Sequence, residues 1–320
     1  MYHDTIPPKI NEMSVFYRGD IKTVMTHSQL MLFVKIAETG NFTKAGEQLN
    51  MTQPAVSRAI STLESELGVI LMIRDKKKGI ILTDIGKRLI VIFREILHGY
   101  NKVEQEVTAE KGFEVGTVRI GTFPIVSAHF LPKILKAIGE KHPGLTFELY
   151  EGTIDEIKEW LSLRIIDVGW IIPPNGELEG IPFFKDELCL LLRDDHPLQS
   201  RPEIHITDLD NEPMIVCKGG FVTPIYELFQ QFGIALRVKY DGHNITTALS
   251  MIQEGLGVAI VSTTSLSLSV LPPNVRVRTI KPQPFREIQL AVPSLKEAPH
   301  GVKLFLQTAR ELYLSGDRNR

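Results

Sequence analysis

The chain has 320 residues, 43% of them apolar, and a net charge of −2. This length indicates two or three domains with sizeable cores, while the near-neutral balance neither supports nor excludes a nucleic-acid partner. Cys189 and Cys217 lack the spacing of zinc ligands, so we expect no metal site. No apolar run is long enough to cross a bilayer, and the N-terminus lacks the apolar core of a signal peptide. We therefore expect a cytoplasmic protein without membrane contact.

Residues 1–24 contain Pro7-Pro8 and no sustained hydrophobic period. We therefore expect a poorly ordered N-terminal extension. The first strong helical pattern begins directly after Met25, which makes Met25 an alternative to Met1 as the natural start. The first folded domain is predicted over residues 25–83.

Three helices and a hairpin are predicted in residues 25–83. Apolar residues at helical spacing predict a first helix over His27–Glu38, and a second follows over Lys44–Leu49. The third carries Pro54 in its first turn, where a missing N–H costs nothing. The predicted caps and stops of these helices are Gly40, Thr43, Thr52 and Gly68. Two short apolar runs between Val69 and Leu82 then predict a hairpin with a basic tip.

Residues 84–111 are predicted to form one long helix, capped by Thr83 or Asp84. Its apolar positions recur at steps of three, four or seven, and they are Ile85, Leu89, Ile92, Ile96, Val103 and Val107. Such a stripe is too long to bury on a small three-helix domain. We therefore expect a linker that pairs with its own copy in a coiled coil.

The segment from Asn41 to Gly68 is typical of a helix-turn-helix, whose second helix enters the major groove with its N-terminal residues. Gln53 can pair with adenine, Arg58 with guanine or a phosphate, and Ala55 with a thymine methyl group. The basic hairpin would act as a wing on the DNA backbone. The predicted DNA-binding residues are Thr43, Lys44, Thr52, Gln53, Pro54, Ala55, Ser57, Arg58, Arg74, Lys76, Lys77 and Lys78. A helical hairpin whose polar residues are merely solvated is the alternative.

A specific set of motifs runs through the same region. It comprises Leu30-x-x-Phe33-x-x-x-Ala37-Glu38-x-Gly40-x-Phe42-Thr43-x-Ala45, then Thr52-Gln-Pro-Ala-Val-Ser-Arg, Leu63-Glu64-x-x-Leu67-Gly68 and Leu82-Thr83-x-x-Gly86. With these residues the chain resembles the LysR-type transcriptional regulators, and the resemblance extends from about Met25 to Leu314. Three positions depart from the family pattern: Gly46 replaces Ala, Met72 replaces Phe and Ser262 replaces Pro.

Residues 112–320 alternate predicted strands and helices, which favours a mostly parallel sheet. The resemblance implies an effector-binding domain of two α/β subdomains with a cleft between them, similar to periplasmic binding proteins. Ligands in such folds lie where strands end and helices begin. The predicted effector-binding residues are therefore Thr122, Thr153, Cys217, Lys218, Gly219, Gly220, His243, Asn244 and Thr263.

Several of these residues have other interpretations. Thr122 and Thr153 are equally well explained as helix caps, and Lys218 as a solvated loop lysine. His243 is more often structural than ligand-binding. Cys217 is more often a small buried apolar residue than a redox sensor.

The chain is thus predicted as α/β overall, with an N-terminal winged helix-turn-helix, a long dimerisation helix and a two-lobed effector domain. The expected function is a DNA-binding transcriptional regulator that responds to a small anionic metabolite, such as an organic acid, with no other cofactor. The resemblance implies a pseudo-palindromic promoter site, a homodimer or homotetramer and contact with RNA polymerase. The alternative is an α/β enzyme or small-molecule-binding protein with an accessory helix-turn-helix, but nucleotide-binding and hydrolase motifs are absent from the sequence, so no catalysis is expected.

Overall fold

The computed structural model describes residues 13–16, 22–75, 79–110, 115–217, 222–242, 244–267 and 269–313. The chain forms two compact units, Met1–Glu104 and Gln105–Arg320. The helices are α1 (His27–Thr39), α2 (Phe42–Gln48), α3 (Gln53–Leu67), α4 (Asp84–Glu110), α5 (Pro124–His129), α6 (Leu131–Lys141), α7 (Ile154–Ser162), α8 (Val222–Gln231), α9 (Ile245–Gln253), α10 (Thr263–Ser267) and α11 (His300–Tyr313).

In the part of the chain that the structure describes, the strands form two-stranded pairs in the first unit, and one seven-stranded sheet with two further pairs in the second. They are β1 (Met13–Phe16), β2 (Lys22–Met25), β3 (Met72–Asp75), β4 (Gly79–Leu82), β5 (Gly116–Thr122), β6 (Leu145–Glu151), β7 (Val168–Ile171), β8 (Glu179–Arg193), β9 (Ile204–His205), β10 (Pro213–Cys217), β11 (Arg237–Gly242), β12 (Ala259–Ser262), β13 (Val275–Arg278), β14 (Ile280–Lys281) and β15 (Phe285–Val292). Within the described residues, no helix is both long and apolar enough to cross a membrane.

The N-terminal unit matches the predicted winged helix-turn-helix. Helices α1, α2 and α3 share one core with the first part of α4, and β3 pairs antiparallel with β4. The expected lack of order in residues 1–24 does not hold throughout, because β1 pairs antiparallel with β2. Both segments contain residues that favour strands, such as Val15 and Phe16 in β1 and Thr23 and Val24 in β2. The rest of residues 1–24 lies outside the described part of the chain.

Helix α4 has two apolar faces where the sequence indicated one. Ile90 and Phe93 are buried in the core of the N-terminal unit, while Ile92, Val103 and Val107 are exposed. The final turns belong to the C-terminal unit, where the Gln105 Oε1 atom accepts a hydrogen bond from the Gly301 amide at 3.3 Å. The boundary between the compact units therefore falls inside α4, between Glu104 and Gln105.

The C-terminal unit has two lobes joined by two strands. The main sheet has the order β12-β8-β15-β7-β5-β6, with β13 also paired to β8. Strand β8 is long enough to serve both lobes: Glu179–Glu187 pairs with β15, and Leu188–Arg193 pairs with β12 and β13. The chain enters the second lobe through β8 and returns through β15, which we call the crossover strands.

The main sheet is mixed, whereas the sequence predicted mostly parallel pairing. Strand β5 is parallel to β6 and β7, but both crossover strands run antiparallel to their neighbours. In the second lobe β10 is parallel to β11. The carboxyl ends of β5 and β6 in one lobe and of β10 in the other are followed by helices, as the predicted cleft requires.

Candidate nucleic-acid interface and effector cleft

The start of α3 presents a polar, exposed surface. Gln53, Pro54 and Arg58 are exposed, whereas Val56 and Ile60 on the opposite side are buried. Thr52 is the N-cap residue, as predicted, but its side chain makes no capping hydrogen bond. Core packing therefore fixes the rotation of α3 and turns its polar side outward, while Ala55 and Ser57 are half-buried at the edge of this surface.

Asn41 and Gly46 shape α2 and the turn that follows it. The sequence predicted the cap of α2 at another residue and offered no reason for the glycine. The cap of α2 is Asn41, whose Oδ1 atom accepts from the Thr43 and Lys44 amides at 2.8 and 3.1 Å. The prediction that Thr43 caps α2 is therefore wrong, since the helix begins two residues earlier than expected. A Cβ atom on Gly46 would lie 2.7 Å from the Met51 carbonyl oxygen, which explains the glycine at this close approach.

The wing is attached to α3 through Glu64. Its Oε1 atom accepts hydrogen bonds from the Leu71 amide at 2.7 Å and the Met72 amide at 3.3 Å. On β3, the Arg74 guanidinium lies 4.3 Å from the centre of the Phe42 ring. The predicted wing residues Lys76, Lys77 and Lys78 lie outside the described residues.

Replacing Glu64 by alanine is expected to lower the stability of the N-terminal unit by about 1–2 kcal/mol, because two wing amides lose a charged acceptor that is partly exposed. Glu64→Gln, which keeps an acceptor oxygen, should cost less. Hydrogen exchange at the Leu71 and Met72 amides measures both effects. Glu47→Ala, which removes an exposed carboxylate from α2, is the matched control, and equal exchange in all three variants would contradict this anchoring role.

In the C-terminal unit, Thr122 is the last residue of β5, where the prediction placed it directly after the strand, and Thr153 stands at the start of α7, as predicted. Thr122 is only 1% exposed, and its hydroxyl lies 3.1 Å from the Ser127 hydroxyl. Thr153 caps α7: its Oγ1 atom accepts from the Glu156 amide at 3.3 Å, and the Glu156 carboxylate accepts from Thr153 in return. The Thr153 backbone amide, followed by its hydroxyl, holds the Glu156 pKa below its usual value. Both threonines therefore serve the structure at the positions where a ligand is also predicted.

The other predicted effector residues lie in the second lobe. Cys217 is buried at the end of β10, and burial raises its pKa to about 11, which makes it a poor redox sensor. Asn244 caps α9 by accepting from the Thr247 amide at 2.9 Å, and Thr263 is exposed at the start of α10. Lys218, Gly219, Gly220 and His243 lie outside the described residues.

A buried polar cluster on the crossover strands was missed by the sequence reasoning. Asp186 on β8 and Arg286 on β15 stand opposite each other in register, and Asp186 Oδ2 lies 2.8 Å from Nε and 2.7 Å from Nη2 of Arg286. Asp186 Oδ1 accepts from the Ser262 hydroxyl at 2.5 Å and from the Thr264 hydroxyl at 2.9 Å. A charged residue inside an apolar strand would have indicated a buried charge pair. The predicted strand began at Leu188, however, so Asp186 was not recognised as part of it.

This cluster explains why Ser262 follows the apolar part of β12. A proline at this position could not donate the hydrogen bond that Asp186 accepts. The Arg286 guanidinium also lies 5.7 Å from the ring centre of Phe123, which directly follows Thr122 in the first lobe. The crossover pair therefore touches elements of both lobes. Elsewhere in the described residues, no group of His, Cys, Asp and Glu side chains could hold a metal ion.

Comparison with known proteins matches both units. The protein-family model described as "Bacterial regulatory helix-turn-helix protein, lysR family" matches residues 27–87. The family model described as "LysR substrate binding domain" matches residues 111–313. The uncharacterized HTH-type transcriptional regulator YvbU of Bacillus subtilis (strain 168) is 53% identical over 289 residues, which cover 90% of this chain and 99% of that protein.

Solved structures show the same fold. A full-length OxyR variant from Pseudomonas aeruginosa matches with a TM-score of 0.73 at 20% identity, covering 89% of this chain and 95% of that one. Full-length CbnR in complex with its target DNA matches with a TM-score of 0.59 at 25% identity, covering 90% of this chain and 99% of that one.

Proposed function

The chain belongs to the LysR family of bacterial transcriptional regulators, and from that premise we propose how it reads DNA and senses its effector. It is a DNA-binding regulator modulated by a small molecule. The N-terminal unit reads promoter DNA through the start of α3, with the β3–β4 wing on the DNA backbone. The effector binds between the two lobes of the C-terminal unit, and the protein acts by binding and not by catalysis.

The observation that carries the DNA-binding proposal is the outward polar side of α3. Gln53 and Arg58 are exposed five residues apart within the first two turns, at the N-terminal end, where a recognition helix meets base edges. Their side chains match adenine and guanine in the major groove. Thr52 adds a hydroxyl that is not used in capping and can donate to a phosphate.

Gln53→Ala and Arg58→Ala are each expected to weaken binding to the specific promoter site by about 1–3 kcal/mol. Binding to unrelated DNA should change much less, because base contacts and not phosphate contacts are removed. Fluorescence anisotropy with specific and scrambled duplexes at fixed salt measures the difference. Ser65→Ala, at the exposed far end of the same helix, is the control. Unchanged specific binding by Gln53→Ala would move the reading surface away from this end of α3.

The proposed effector is a small organic acid. Hydroxyl groups and helix starts follow β5 and β6, and they favour negative groups on a ligand. Thr122, Thr153, Asn244 and Thr263 remain the proposed contacts. Because Thr153 and Asn244 already cap helices, we expect their ligand contacts to come from atoms that capping leaves available.

The proposed assembly is a homodimer built on α4. Its exposed residues Ile92, Val103 and Val107 lie on one stripe at helical spacing, next to the half-buried Ile96. A second copy of the same helix would cover this stripe in a coiled coil. Two reading helices brought together in this way would bind a pseudo-palindromic promoter site. A tetramer and a contact with RNA polymerase belong to the same proposal.

A further inference from the structure

A cavity of about 500 Å³ lies beside the crossover strands, and none of the predicted effector residues in the described part of the chain lines it. One wall is Ile172 and Pro173, which follow β7 in the first lobe. Another wall is the C-terminal half of α8 in the second lobe, including Leu228, together with Phe232 directly after the helix. The start of β15 forms the floor. The volume is within the range of small-molecule sites, and a ligand here would contact both lobes.

The cavity contains a buried arginine, which at first suggests an acid as ligand. Arg286 is 3% exposed, but its Nε and Nη2 atoms bind Asp186, which is itself fully buried. Ser262 and Thr264 donate to the same carboxylate and hold it in place. The charge of Arg286 is therefore balanced within the protein by the carboxylate of Asp186.

The remaining polar wall accepts hydrogen bonds more than it donates them. Glu227 and Glu287 contribute two carboxylates, and Oε1 of Glu287 already accepts a hydrogen bond from the Gln289 side-chain amide at 2.5 Å. The Gln283 side-chain amide already donates a hydrogen bond to the Leu188 carbonyl oxygen at 2.7 Å. Three lining residues, Pro173, Pro282 and Pro284, have no backbone N–H to offer. An anion in this cavity would find few donors, whereas an ammonium group would find acceptors.

Two lysines lie near the cavity without lining it. Lys158 of α7 interacts electrostatically with Glu227, and Lys185 places its Nζ atom 4.1 Å from the centre of the Phe285 ring. Their positive charges offset part of the negative charge around the cavity. Direct contacts with the lining atoms, and not the net charge of the surroundings, therefore select the ligand. Apolar side chains of Ile172, Leu188 and Phe232 would pack against an apolar body.

We propose that this cavity is a second ligand site, which binds a small organic cation: a primary amine carried on an aromatic or aliphatic skeleton. The ammonium group pairs with Glu227 and Glu287, and the skeleton packs between α8 and the segment after β7. Since the ligand contacts both lobes and the β15 crossover strand, its binding favours one angle between the lobes. The amine is proposed in addition to the organic acid and not in its place.

The test uses three indole probes of similar size and different charge: tryptamine, the neutral alcohol tryptophol and the acid indole-3-propionate. Isothermal titration calorimetry with the full chain, without DNA, measures each one. Tryptamine is expected to bind once per chain, tryptophol about fivefold more weakly, and indole-3-propionate not at all. Absence of tryptamine binding, or binding of the acid as tight as that of the amine, would overturn the proposal.

Variants locate the binding. Leu228→Trp fills the cavity and should abolish tryptamine binding; if it fails to fold, Gln231→Trp on the exposed side of α8 takes its place. Glu227→Gln combined with Glu287→Gln should weaken binding about tenfold. Glu297→Gln, which removes an exposed carboxylate that does not line the cavity, should leave it unchanged. Full tryptamine binding by both tryptophan variants would place the amine elsewhere and overturn the assignment.

Discussion

Replacing Arg286 by methionine is expected to lower the unfolding free energy of the C-terminal unit by about 3–5 kcal/mol. The substitution leaves Asp186 fully buried without the cation that balances it, and only the two hydroxyl donors remain. Urea unfolding followed by tryptophan fluorescence measures this loss selectively. Both tryptophans of the chain, Trp160 and Trp170, lie in the C-terminal unit, so the signal does not report the DNA-binding unit.

The double variant Asp186→Leu/Arg286→Met is the matched control. Removing both charges takes away the need to bury them, so it should recover most of the stability lost by Arg286→Met. The remaining deficit comes from Ser262, whose buried hydroxyl loses its acceptor. A single variant that loses less than about 1 kcal/mol would show that water reaches Asp186.

Phe93→Ala is expected to destabilise the N-terminal unit by about 3–5 kcal/mol. Phe93 is 2% exposed on α4, and its ring packs edge-to-face against Phe33 with 5.4 Å between ring centres. The truncation leaves a cavity between α1 and α4 that the surrounding side chains fill only partly. Because this unit has no tryptophan, hydrogen exchange of the α1 amides is the suitable measurement.

Val103→Ala provides a control on the same helix and in the same unit. Val103 is 64% exposed, so its truncation should change folding stability by no more than about 0.5 kcal/mol. If the exposed stripe pairs with a second copy, this variant should instead weaken self-association in sedimentation experiments. Comparable losses of α1 protection in both variants would contradict the division of α4 into a core face and an exposed face.

The different outcomes along α4 show how far a hydrophobic period can be interpreted. The period correctly predicted a long helix and an apolar stripe at Ile92, Val103 and Val107. It did not separate this stripe from the neighbouring one at Ile90 and Phe93, because which side meets α1 depends on the packing of the whole unit. The exposed stripe became visible only when the residues covered by the core were known.

The predicted sites divide in a similar way. The recognition helix was placed from its sequence, since Pro54 near its start and Gly68 at its end act within one or two turns. The cap of α2 was placed two residues too late because Asn41 and Thr43 are both good capping residues, and local preference does not choose between them. The Glu64 contact with the wing needed the fold, since it joins a helix to the first residue of a strand eight positions away.

The sequence by itself determined the family, the winged helix-turn-helix and the two-lobed α/β design. These follow from motifs, caps and hydrophobic periods that act over short distances along the chain. Only the tertiary structure decided the crossover pair of Asp186 and Arg286, which are 100 positions apart in the sequence. The same holds for the cavity beside it, because strand register and lobe packing, and not local preference, bring such residues together.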